Sequence, residues 1–81
     1  MQTPGSPLRV AVLFGPGGRI RPVWFDLDGQ RHDVRTITNS WQDRRGEIVS
    51  LHFHVTAAGA LFELIFHPGA ATWQLIRIEA L

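Results

Sequence analysis

Leu51-His52-Phe53-His54-Val55-Thr56-Ala57-Ala58-Gly59-Ala60-Leu61-Phe62-Glu63-Leu64-Ile65-Phe66 carries more structural information than any other run of the chain. On both sides of Ala58-Gly59 apolar residues recur at every second position, the pattern of strands buried on one face. With Ala58-Gly59 as a two-residue turn, Val55 faces Phe62, Phe53 faces Leu64 and Leu51 faces Phe66. Every pair is apolar, so one face of this hairpin is core. A one-residue slip would turn that whole set toward water.

Pro68-Gly69 closes the second strand of the hairpin, and a third follows. Placing Phe66 opposite Gln74 sets Leu64 against Ile76 and Phe62 against Ile78 on the core face. The same register sets Glu63 against Arg77 on the outer face, an opposite-charge pair. Toward the N-terminus, Gly15-Pro16-Gly17-Gly18, Asp28-Gly29 and Asp43-Arg44-Arg45-Gly46 separate further short apolar runs. Asp28-Gly29 predicts a type I′ hairpin turn, because both central residues need positive φ; it pairs Asp26 with Arg31 and Val23 with Val34. Leu8 to Phe14 reads as a first strand, joined to an Ile20–Leu27 strand by the glycine-rich loop.

No window shows a helical apolar stripe. The expected fold is therefore all-β: a single antiparallel meander of about six strands, rolled into a strongly curled sheet or small open barrel. Its core would contain Val23, Val34, Val49, Leu51, Phe53, Val55, Phe62, Leu64, Phe66, Ile76 and Ile78. Residues 1–7, rich in Pro and Gly, read as a flexible tail, and residues 8–81 as the one domain that 81 residues accommodate.

At 44% hydrophobic and 19% charged, the composition is that of a globular protein, too apolar for disorder. All eight cationic residues are Arg, and Lys, Cys and Tyr are absent. Schiff-base chemistry, P-loop lysines, thiol nucleophiles, disulfides and thiolate metal sites are thereby excluded. The isoelectric point of 9.1 overstates the basicity, since the net charge is only +1. Between His and Arg only the α-amino group titrates, so the charge curve is flat there. A near-neutral chain has no long-range field to draw in nucleic acid or anionic membranes. No segment approaches the ~18 apolar residues of a membrane span. The first residues carry no positive charge and the Leu8–Phe14 run is interrupted by Arg9, so a cytoplasmic location without a membrane or signal peptide is expected.

On these registers the outward residues of the last three strands form rows: His54, Glu63 and Arg77; His52, Ile65 and Leu75; Ser50, His67 and Trp73. A solvated face should not carry Ile65, Leu75 and Trp73 together. His52, Ile65, Trp73 and Leu75 are thus the candidate partner-binding residues, covered by the first strand, by a second copy in a homodimer or by another protein. His52-x-His54 places two imidazoles on one side of a strand, as metal chelation requires, with Glu63 and His67 as further candidate ligands. Trp41 beside Arg44 and Arg45, together with Arg77, provides the aromatic and cationic groups that small barrels use on single-stranded nucleic acid.

No catalytic residues and no cofactor are expected. Phe25-Asp26-Leu27-Asp28-Gly29 resembles the opening motif of haloacid-dehalogenase-type phosphatases, but those enzymes are longer and need a downstream Lys that this chain lacks. Gly15-Pro16-Gly17-Gly18-Arg19 lacks the spacing and the Lys of a P-loop. His32 and Asp33, adjacent on a strand, point to opposite faces.

The series Arg21-Pro22-Val23-x-Phe25, Gly29, Val34, Trp41, Phe53-x-Val55, Glu63-Leu64 and Trp73-x-Leu75 resembles a family of small bacterial all-β domains of unestablished function. Such domains also occur as C-terminal appendages of proteins related to Y-family DNA polymerases. The resemblance spans about residues 8–81 and departs between Trp41 and Phe53, where those relatives are richer in aromatics. It implies an all-β fold without known activity and, by association, an accessory role near nucleic acid. The leading expectation is a non-enzymatic β-module binding a protein partner or itself. A nucleic-acid accessory module and a metal or small-ligand binder at His52 and His54 are the alternatives.

Overall fold

A computed structural model describes residues 6–81. It contains seven strands: β1 (Ser6–Phe14), β2 (Ile20–Leu27), β3 (Gln30–Asp33), β4 (Thr36–Arg45), β5 (Ile48–Ala57), β6 (Ala60–His67) and β7 (Thr72–Ala80). A short 3₁₀ turn at Pro16–Gly18 joins β1 to β2. The strands form one antiparallel sheet in the order β3-β2-β1-β7-β6-β5-β4, curled into a half-barrel. The expected flexible tail splits in two: residues 1–5 lie outside the described residues, whereas Ser6 and Pro7 already pair with Leu75 and Gln74.

The central hairpin has the expected register, with Leu51, Phe53 and Val55 opposite Phe66, Leu64 and Phe62. Ala58 and Gly59 turn at φ of 49° and 77°, as a two-residue turn between right-twisted strands demands. Asp28 and Gly29 do the same at 51° and 76°. Asp26 lies opposite Arg31, although its carboxylate accepts from Arg9 on β1 and Arg31 turns to Asp33.

The seventh strand has a physical origin that turn residues do not announce. Five turn signals delimit six runs, but the run from Gln30 to Arg45 bends at Val34-Arg35 and changes partner. Val34 N–H donates to the Val23 carbonyl on β2 at 3.0 Å, and Arg35 N–H donates to the Thr56 carbonyl on β5 at 2.8 Å. One bent strand thus ties together the two ends of the sheet. β1 does not cover the outer face; it lies within the sheet between β2 and β7.

Three registers shift, at Val23 in β2, at Thr38 in β4 and at Ile76 in β7. Each extra residue inverts the facing of what lies beyond it. In β7 the expected pairs Phe62–Ile78 and Glu63–Arg77 hold, but Leu64 then faces Leu75 and Phe66 faces Trp73. The core consists of Phe25, Leu27, Phe53, Val55, Ala57, Phe62, Leu64, Trp73 and Leu75. No polar or charged side chain is buried among the described residues.

Candidate binding site

The shift at Ile76 dissolves the expected apolar partner face. Trp73 and Leu75 are 6% and 2% exposed and belong to the core, Trp73 lying against Phe53 and Phe66. His52 and Ile65 remain paired on the outer face, where Gln74 takes the place expected for Leu75.

The four candidate metal ligands do not converge, and among the described residues no three His, Asp or Glu side chains gather as a metal-binding group. His67 Nε2 donates to Gln74 Oε1 at 2.8 Å, with the Ser50 hydroxyl 3.5 Å from Nδ1. Trp41 lies across the other two imidazoles. Its ring stacks on His52 at 4.8 Å and 13°, and meets His54 edge-on at 5.0 Å and 88°. Both ring nitrogens of His52 are closed to solvent without a hydrogen-bond partner. The Thr38 bulge creates this stack, because it turns Trp41 outward, opposite His52.

Glu63 joins His54 and Arg77 as expected, its Oε1 3.3 Å from His54 Nε2 and 2.8 Å from Arg77 Nε. Burial pushes the Glu63 carboxyl up, but Arg77 and His54 together outweigh it and hold the carboxyl below its ordinary value of 4.5. A lowered native pKa means that the stabilisation is complete above the unfolded-state pKa and is lost as pH falls through the native one. Glu63→Gln is expected to cost about 1 kcal/mol at neutral pH, with the deficit shrinking at about pH 3. Urea unfolding at both pH values checks this, and an undiminished deficit in acid would show that the carboxylate charge is not its source.

The nucleic-acid residues separate. Arg77 is held by Glu63 and Glu79, and Arg45 lies 3.7 Å from Asp43. Arg44 has no ion pair among the described residues, whereas the Trp41 ring is already stacked on His52.

A different feature emerges where the bent strand leaves β2. Among the described residues, the β2 edge from Ile20 to Pro22, beyond Val34, has no strand on that side, and β4 is paired only with β5. The two edges diverge into a notch. Its apex is a hollow of about 400 Å³ lined by Arg21, Pro22, Val23, Val34, Arg35, Thr36 and Ile37. Its mouth is a cleft of about 950 Å³ between the β1–β2 tip and β4. Phe14, Ile20, Ile37, Leu51 and Phe53 give the cleft an apolar surface, Ser40 and Gln42 add a hydroxyl and an amide, and Trp41 stands at the rim. Leu13, Phe14 and Trp41 are 52%, 75% and 39% exposed there.

Neither lining contains an Asp or Glu. Ser40 lies opposite Phe53 and faces inward, whereas His52 faces outward, so the hydroxyl and imidazole nearest the cleft are on opposite faces of the sheet. Sequence reading missed this site, since Leu13, Phe14 and Ile20 look like ordinary strand residues until the bend exposes them. Among the described residues no helix is long and apolar enough to cross a membrane. No protein-family model, curated protein or solved structure matches this chain.

Proposed function

We propose that this protein is a non-enzymatic binding module that receives a protein partner in the notch between β2 and β4. The observation that carries this reading is the unpaired β4 edge beside an apolar cleft, with Phe14 75% exposed at its mouth. Free strand edges and contiguous exposed apolar surface both favour association. The cleft brings together no nucleophile, base and oxyanion site, so binding rather than catalysis is the chemistry it supports. An accessory role of the kind implied by the resemblance to appendage domains fits a module that works by binding.

Selection of displayed random peptides on the protein tests the reading. Enriched peptides are expected to lose at least about tenfold in affinity on Leu13→Asp/Phe14→Asp, a pair of exposed sites whose change leaves the fold intact. Ile78→Asp, on an exposed site of β7, is expected to leave binding unchanged. Failure to enrich any peptide, or equal binding to the Leu13/Phe14 variant, would overturn the proposal.

A further inference from the structure

The eight arginines fall into two groups. Arg9, Arg31, Arg45 and Arg77 lie in ion pairs with Asp26, Asp33, Asp43 and Glu63, whereas Arg19, Arg21, Arg35 and Arg44 have no acidic partner among the described residues. Three of those four, Arg19, Arg21 and Arg35, line the notch, and Arg44 lies outside both linings. Arg19 and Arg21 line its mouth, Arg21 and Arg35 its apex, and Arg44 lies on β4 beyond Trp41. A chain with a net charge of only +1 thus places three of its four arginines without an acidic partner around one cleft.

Resting on the binding-module reading, we infer that the occupant of the notch is an extended peptide segment of alternating apolar and acidic residues, added as a strand along the free edge of β4. Period two would turn every second side chain inward over Phe14, Ile20 and Leu51, and the others outward, on the side of Arg21. Arg21 suits the outward role, since it lies opposite Leu13 while Phe14 lies opposite Ile20 on the core side.

Two other occupants fit less well. A polynucleotide cannot continue the β4 backbone ladder, and the Trp41 ring already stacks on His52. A second copy joined edge to edge at β4 would bring two sets of unpaired arginines together, with like charges opposed.

Labelled decapeptides alternating valine with glutamate, serine or lysine provide the test, read by fluorescence anisotropy on the full chain. At about 50 mM salt the glutamate peptide is expected to bind at least about tenfold tighter than the serine peptide, with the gap closing near 500 mM. The lysine peptide should show no binding. Arg21→Glu/Arg35→Glu, two exposed positions, should invert that order. N-methylation of alternate peptide residues should abolish binding, and those alternate amides of residues 39–45 that face away from β5 should gain exchange protection in the complex.

Equal affinity for the glutamate, serine and lysine peptides would overturn this inference while leaving the binding module standing. So would binding by none of them when displayed peptides do bind. Displacement of the glutamate peptide by a single-stranded oligonucleotide at lower concentration would overturn it in favour of nucleic acid. A sedimentation mass of twice 9.1 kDa, reduced to 9.1 kDa by Arg44→Glu or by excess glutamate peptide, would overturn it in favour of self-pairing.

Discussion

Phe25→Ala is expected to bring the domain close to global unfolding. Phe25 is fully buried, faces Val10 across β1, stacks on His32 at 5.3 Å and meets Phe62 edge-on at 5.0 Å. Its ring therefore links β2 and β3 to the central hairpin. Truncation removes that contact and leaves a cavity that a curled sheet cannot collapse to fill, at a cost of about 3–5 kcal/mol. A domain of this length has roughly 4–12 kcal/mol in total, so most of its stability is at stake. The melting temperature should fall by more than about 12 °C. Phe14→Ala provides the contrast: Phe14 is 75% exposed at the cleft mouth, and its loss should cost no more than about 0.5 kcal/mol. Thermal unfolding of both variants measures the difference. Comparable losses would mean that Phe14 packs as a core residue, and the open notch would then not exist.

The features that could be read from the chain are those with a local cause. Asp28-Gly29 and Ala58-Gly59 fix two hairpin registers through the backbone conformations they adopt, and alternation carries the pairing out to Leu51–Phe66 and Trp24–Asp33. The His54–Glu63–Arg77 row follows from the same alternation. The features that could not be read are non-local. β1 pairs with β7 across nearly the whole chain, which no turn residue signals. The bend at Val34-Arg35 depends on β2 and β5 each offering a carbonyl to one strand, and it alone opens the notch. The bulges at Thr38 and Ile76 carry no glycine or proline; only the one at Val23 has a marker, Pro22 beside it. Each is selected by how the curled sheet closes. Two of the four candidate partner-binding residues, Trp73 and Leu75, lie in the core for this reason, while Arg19, Arg21 and Arg35, which line the notch, are visible in the sequence only as part of a composition without lysine.

The Ile76 bulge is the sharpest of these cases, because two registers predict opposite results for neighbouring residues. Simple alternation from Phe66 opposite Gln74 makes Ile76 core and Leu75 surface. In the structure Leu75 is 2% exposed and faces Leu64, itself fully buried, while Ile76 is the unpaired residue of the bulge and only partly buried. Both arrangements set an apolar residue against Leu64, so pair chemistry alone does not separate them. What separates them is Trp73. The bulged register turns its indole inward against Phe53 and Phe66, removing a large apolar surface from water, whereas the straight register leaves it outside. Leu75→Ala should therefore cost about 2–5 kcal/mol and Ile76→Ala about 1 kcal/mol. Urea unfolding of the two single variants measures that order directly. A larger loss at Ile76 than at Leu75 would restore the unbulged strand, return Trp73 and Leu75 to the outer face and revive the apolar partner surface that the bulge removes.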